Sequence, residues 1–245
     1  MTPLPRGEPD QSRPSPAELL SGAGHGLLNR LTSISLAAET AELALEKQQP
    51  AAALRLIQRL QENIGSFQQM VKDLLLSNRL LESRQVLEFS SWESPFLREW
   101  TTEVLRPFPE ADRRRVVLEL AGGPLARADR TIVPAVLGHL LGNALKFSAP
   151  QGAVEVRMEA REDGLGITVS DPGIGIPPAE VARIGEPFYR ASNVGGRGGL
   201  GLGLFIVQGI AALHGGSMEI SARPQGGTVV HVDLPAPPEA PATPA

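Results

Sequence analysis

The run LGHLLGNALKFS, residues 137 to 148, places Asn143 and Lys146 three positions apart within an apolar helical pattern, so an amide and an ammonium share one helix face. An amide oxygen suits Mg2+, which takes hard oxygen ligands and keeps several waters. A lysine on the same face can meet phosphate, and the chain holds only three lysines. Standing alone, the segment reads as well as the polar face of an ordinary helix, so its meaning depends on what surrounds it.

Two further segments reinforce it. SDPGIGIP, residues 170 to 177, follows a strand-like run directly. Asp171 at the strand end offers an acceptor for an exocyclic amine, and Gly173 and Gly175 let the backbone approach a flat ring. GGRGGLGLGLFIVQGI, residues 195 to 210, thins from glycines into a helical apolar pattern near Leu202. A glycine-rich loop entering a helix N-terminus presents backbone N–H groups and the positive end of the helix dipole, which suits polyphosphate. No Lys-Ser or Lys-Thr follows, so it is not a P-loop, and no strand leads into it as in a dinucleotide fingerprint. Residues 185 to 199 read as a lid.

Around these segments, from about residue 86, short strand-like runs (86–89, 116–120, 154–158, 166–170, 217–221 and 228–234) alternate with helical ones (95–105, 130–147, 178–184 and 202–214). This predicts an α/β domain over 85–235, with helices covering one face of a mixed sheet. Trp92 and Trp100 belong to its core.

Residues 16–84 have a different period. Leu20, Gly24, Leu27, Leu31, Ile34, Ala38, Ala41 and Leu45 alternate spacings of four and three, as do Ala53, Ile57, Leu60, Ile64, Phe67, Val71, Leu74, Asn78 and Leu81. Pro50, after EKQQ, suits the first turn of a new helix. The reading is a helical hairpin with arms of roughly 45–50 Å. Pairing two hairpins into a four-helix bundle would cover their apolar seams, which predicts a homodimer.

On the first seam His25 falls at position b and Asn29 at f. Four residues turn about 400°, so the two share one exposed face. An exposed imidazole near its ordinary pKa keeps a free lone pair and is a usable nucleophile.

Residues 1–15 and 236–245 are rich in proline and polar residues and are expected to be disordered tails. At 245 residues and a formal charge of −4, without cysteine, the chain excludes disulfides, thiolate metal sites and cysteine nucleophiles. No basic run suggests nucleic acid, no apolar run is long enough to span a bilayer, and a cytoplasmic location is the expectation.

The order of segments resembles the sensor histidine kinases of bacterial two-component systems: a His-bearing hairpin, then HLLGNALKFS, DPGIGIP, EPFYR, GGLGLGLFIVQGI, HGG and GGTVVHVDLP. The resemblance implies a dimerisation and phosphotransfer hairpin at 16–84, with His25 as phosphoacceptor. It implies a catalytic ATP-binding domain of the Bergerat fold at 85–235, the fold that gyrase and MutL share. In it Asn143 would bind Mg2+, Lys146 the phosphates and Asp171 the adenine amine, with Gly173 and Gly175 beside the ring. Phe188 would anchor the lid, Gly199, Gly201 and Gly203 would close on the triphosphate, and Thr228 would support the adenine pocket. A response-regulator receiver would be the phosphoryl acceptor, and Asn29 matches the position that orients water when the regulator is dephosphorylated.

Gyrase-like ATPases carry a glutamate one turn before the asparagine, where this chain has His139; a hydrolytic base is therefore not evident. The phosphoacceptor box also departs from the family. Gly26 replaces the acid beside the histidine and Arg30 the proline five residues on, which predicts a slow acceptor. Two functions fit: an ATP-dependent histidine kinase, or a catalytically weak regulator that binds ATP and a partner kinase or receiver. No sensor domain is visible, so input would come through the N-terminal tail, a separate sensor protein or a segment outside this sequence.

Overall fold

The structure is a computed structural model and describes residues 16–82, 85–195 and 198–237. The expected tail at 1–15, and residues 238–245 of the other, lie outside them. The chain divides into two compact units, Met1–Arg84 and Gln85–Ala245.

The first unit is a hairpin of α1 (Pro16–Glu46) and α2 (Pro50–Leu81). The turn is closed by Gln48, at φ 55°, and by Gln49 N–H donating to the Ala44 carbonyl at 2.8 Å. Pro50 opens α2, where its missing N–H costs nothing. Near this turn the buried residues are Ala37, Ala41 and Ala44 on α1 and Ala53 on α2; small side chains let the helices approach closely. Farther along α2, Leu74, Ser77 and Leu80 are buried.

The expected heptad line is thereby divided. Leu31, Leu45, Ile57, Ile64 and Val71 stay exposed, from 36% to 55% of their surface. Half-buried Leu56, Asn63 and Met70 take the inner positions instead. Each helix carries an apolar side wider than one neighbour can cover, so a single hairpin hides one edge of it and leaves the other in solvent.

The second unit is a layered α/β sandwich, as expected. Its five-stranded sheet runs β2 (Val116–Gly122), β4 (Val154–Arg161), β5 (Gly164–Asp171), β7 (Thr228–Pro235), β6 (Ser217–Ala222). β2 and β4 are parallel and the other pairs antiparallel. Alternation fixes the inner face: Val154, Val156, Met158 and Ala160 of β4, and Val230, Val232 and Leu234 of β7, are buried. The helices α3 (Ser94–Leu105), α5 (Val133–Phe147) and α6 (Gly203–Leu213) pack there. The other face carries ion pairs, including Arg161 with Asp233 and Arg223 with Glu155.

β1 (Phe89–Glu93) pairs antiparallel with β3 (Leu125–Asp129), and a short α4 (Glu110–Arg113) precedes β2. The strand expected at 86–89 thus begins only at Phe89. Trp92 and Trp100 are buried, with ring centroids 5.7 Å apart. The helix expected at 178–184 is a 3-10 turn, Pro178–Arg183. Among the described residues no helix is long and apolar enough to cross a membrane.

Two side chains set the ends of α5. The buried carboxylate of Asp129 accepts hydrogen bonds from Thr131 N and Oγ1, both at 2.7 Å, from Ile132 N at 3.2 Å and from Glu88 N at 2.8 Å. Burial alone would raise its pKa; these donors outweigh burial and hold it below the ordinary value. At the other end Arg115 donates to the carbonyls of Leu145, Ala149 and Gly152 at 3.3, 2.8 and 2.9 Å. A guanidinium at a helix C-terminus also meets the negative end of the dipole.

Candidate nucleotide site

α5 is held by an apolar stripe of Val133, Val136, Leu137, Leu140, Leu141, Ala144 and Leu145, all buried. This spacing leaves Asn143 and Lys146 off the core, Asn143 half-buried and Lys146 exposed. The Asn143 amide has no hydrogen-bond partner among the described residues, so its oxygen is available as a hard ligand. Among those residues no group of three or more His, Asp or Glu could hold a metal. The amide oxygen of Asn143 is of the hard type that suits a magnesium ion completed by phosphate and water.

Asp171 ends β5 and is only 8% exposed. Its Oδ1 accepts from Gly173 N at 2.8 Å and lies 3.3 Å from Ser148 Oγ. Its Oδ2 accepts nothing from the described residues, yet it is not among the sealed polar atoms. One oxygen is thus held by the protein and the other is open to a ligand. Burial raises the Asp171 pKa above the ordinary value, with Gly173, Ser148 and Arg223 opposing.

The turn after Asp171 is packed against the end of α5. Ser148 bridges to Gly173, and Ile174 N donates to the Phe147 carbonyl at 3.3 Å. A Cβ at Gly173 would lie 2.4 Å from Asp171 Oδ1, which requires glycine there. Gly175 has φ 68°. Thr228, 9% exposed, lies opposite Asp171 in the β5–β7 register. A Cβ on Gly227 would lie 1.9 Å from the Asp171 carbonyl oxygen.

On the other side of α5, Lys146 Nζ donates to the Gly198 carbonyl, and a Cβ at Gly199 would lie 3.2 Å from that nitrogen. The glycine-rich loop therefore reaches the lysine before entering α6 at Gly203. Phe188 has φ 64° and its N–H donates to the Gly201 carbonyl at 3.0 Å, which fastens the two ends of the intervening segment together. Within that segment Ser192 N and Oγ donate to Glu180 at 2.8 and 2.5 Å, and Asn193 Nδ2 donates to the Gly175 carbonyl at 3.0 Å.

The second unit thus brings together Asp171, Gly173, Gly175 and Thr228 at one end of the sheet, and Lys146, Gly199, Gly201, Gly203 and Phe188 around the loop. Asn143 lies one turn before Lys146. His25 and Asn29 belong to α1 in the first unit. The side chain of His25 lies outside the described residues, and Asn29 is exposed. Sequence reasoning gave no role to Ser148, Asn193, Glu180 or Gly227. Ser148 and Gly227 stand inside or beside motifs already singled out, but their partners are distant in the chain.

Residues 128–238 match the family of histidine kinase-, DNA gyrase B- and HSP90-like ATPases. Over 223 residues the chain is 30% identical to the alginate biosynthesis sensor protein KinB of Pseudomonas aeruginosa, covering 89% of this chain and 37% of that protein. It therefore spans less than half the length of that curated relative. Two solved structures share the fold. The histidine kinase AdeS of Acinetobacter baumannii aligns at a TM-score of 0.60 and 19% identity, covering 83% of this chain and 95% of that one. Full-length ShkA, solved in complex with AMPPNP, aligns at 0.61 and 20% identity, covering 93% of this chain and 47% of that one. Residues 128–238 thus match the ATPase domain found in histidine kinases, and most of the chain is similar in sequence to a bacterial sensor protein and in fold to histidine kinases.

Proposed function

We propose that the chain is an ATP-dependent protein-histidine kinase. Residues 16–84 form the dimerisation and phosphotransfer domain, and residues 85–235 the catalytic one. The observation that carries this reading is Asp171: a buried carboxylate with one oxygen held by the protein and the other free for an adenine amine. Gly173, Gly175 and Thr228 flank the ring, and Lys146 and Asn143 lie toward the phosphates. Bound Mg2+ would neutralise phosphate charge. Gly199, Gly201 and Gly203, closed by Phe188, would supply backbone N–H groups to the same oxygens.

The imidazole of His25 attacks the γ-phosphorus in line. A P–N bond forms, the bond to the β–γ bridging oxygen breaks, ADP departs, and the ring gives up its N–H proton to water. The phosphoryl group then passes to an aspartate of a response-regulator receiver in the cytoplasm. Asn29, exposed one turn after His25, orients water when that regulator is dephosphorylated. The glycine at 26 and the arginine at 30 favour a second reading, a weak kinase that regulates a partner by association. Purified protein given γ-labelled ATP and Mg2+ should itself acquire label; release of free phosphate alone would point instead to a plain ATPase.

The exposed line of Leu31, Leu45, Ile57, Ile64 and Val71 supports a homodimer, in which a second hairpin covers it. Ile64→Glu would bury a charge in each half of that interface. It should weaken association by at least about 100-fold. Sedimentation should then show the variant at 26.0 kDa and the parent chain at twice that mass. A parent chain that sediments as a monomer would contradict the dimer.

A further inference from the structure

The hydroxyl of Ser148 has one proton and two acceptors. Its Oγ lies 2.6 Å from the Ala144 carbonyl and 3.3 Å from Asp171 Oδ1. The first distance is that of a formed O–H···O bond and the second is longer than one. The Ala144 carbonyl also receives the Ser148 N–H at 3.1 Å, so it keeps a partner when the hydroxyl proton turns away. We propose that Ser148 is a positioning residue that holds Asp171 ready to accept an exocyclic amine, through one hydroxyl proton shared between the Ala144 carbonyl and the Asp171 carboxylate. The role rests on the reading of Asp171 as the adenine acceptor.

With Oδ1 held as an acceptor by Gly173 N–H, a proton on Asp171 sits on Oδ2 and opposes its O–H to the ligand's N–H, so the ionised form is the one that accepts the amine there. Burial favours the protonated form of Asp171, and little charge is at hand to resist it. Arg223 acts from the exit of β6 but is paired at 2.9 Å with Glu155 of β4. Lys146 of α5 is held by the Gly198 carbonyl, and Thr228 of β7 is uncharged. Among the described residues Gly173 N–H donates to Oδ1 at 2.8 Å, and the Ser148 hydroxyl stands 3.3 Å from it. Of these, only the hydroxyl can turn toward the carboxylate when it ionises. A base with a carbonyl in place of the amine, as in inosine, is served instead by the protonated carboxyl.

The experiment titrates ADP and inosine diphosphate into the full chain, Ser148→Ala and Ser148→Thr, over a pH series by calorimetry. Ser148→Ala should bind ADP about 3- to 10-fold more weakly at mildly acidic pH, with the gap closing as the pH rises. Its affinity for inosine diphosphate should be unchanged or higher, and Ser148→Thr should restore the parent profile. Equal weakening of both nucleotides at every pH, or no change for either, would overturn the role. If the parent chain binds neither nucleotide, the adenine reading of Asp171 falls, and the role falls with it.

Discussion

Asp171→Asn loses adenine-nucleotide binding by at least about 100-fold while the protein stays folded. The size follows from the geometry. Gly173 N–H points at Oδ1 from 2.8 Å, so the amide must keep its oxygen on that side. Its NH2 then stands where Oδ2 was and faces the ligand's amine, donor against donor. If the amide flips, the clash moves to Gly173. Either arrangement forfeits one hydrogen bond and leaves donors unpaired, a loss of about 3 kcal/mol, which is a little over 100-fold.

Stability should move differently. The folded pKa of Asp171 is raised above its unfolded value by burial. The favourable contribution of the protonated group is therefore complete at low pH and is lost as the pH rises through the folded pKa. Above that range the carboxylate opposes folding, so a neutral amide leaves the thermal midpoint at neutral pH unchanged or higher. Calorimetric titration with ADP, beside a melting curve, reads both. Retained nucleotide affinity in the folded variant would remove Asp171 from the site.

The second large effect is a gain. Gly26→Glu should raise the rate of His25 phosphorylation about 100-fold, the lower end of the range for general acid–base assistance. A carboxylate beside the imidazole fixes the ring tautomer by accepting its N–H and eases loss of that proton. Glycine in a helix interior also costs about 1 kcal/mol relative to alanine, so a better-formed helix is a rival explanation for any gain. Gly26→Ala separates the two, because it repairs the helix without supplying an acid. Initial labelling rates should be flat for alanine and raised for glutamate. A flat or lowered rate with glutamate would mean that proton removal does not limit the reaction.

How far the sequence could be read depends on the reach of each signal. The two-residue alternation of β4 and β7 and the glycine runs before α6 are local, and they located the sheet and the loop. The line through α1 and α2 identified the hairpin but not which edge of each helix faces inward. Leu31 and Ile64 read as seam and stand at the surface, because period alone cannot say how much of a wide apolar side one neighbour covers. β3 was missed because LARAD is short and holds no β-branched or aromatic side chain; its pairing with β1 comes from tertiary contact. Ser148 and Asp171 are 23 residues apart and Phe188 and Gly201 are 13 apart, and nothing in their spacing announces a bond. The left-handed backbone at Phe188 could not be inferred either, since a bulky residue rarely adopts it.

The reaction proposed for this chain is transfer of the γ-phosphoryl group to the imidazole at position 25. The most direct measurement incubates the parent chain and His25→Gln with γ-labelled ATP and Mg2+, then follows protein-bound label through acid and alkali. Acid-labile, alkali-stable label is expected on the parent chain and none on the variant, with equal ADP affinity in both. Label that persists in His25→Gln, or a parent chain that binds ATP and never takes up label, would contradict the transfer.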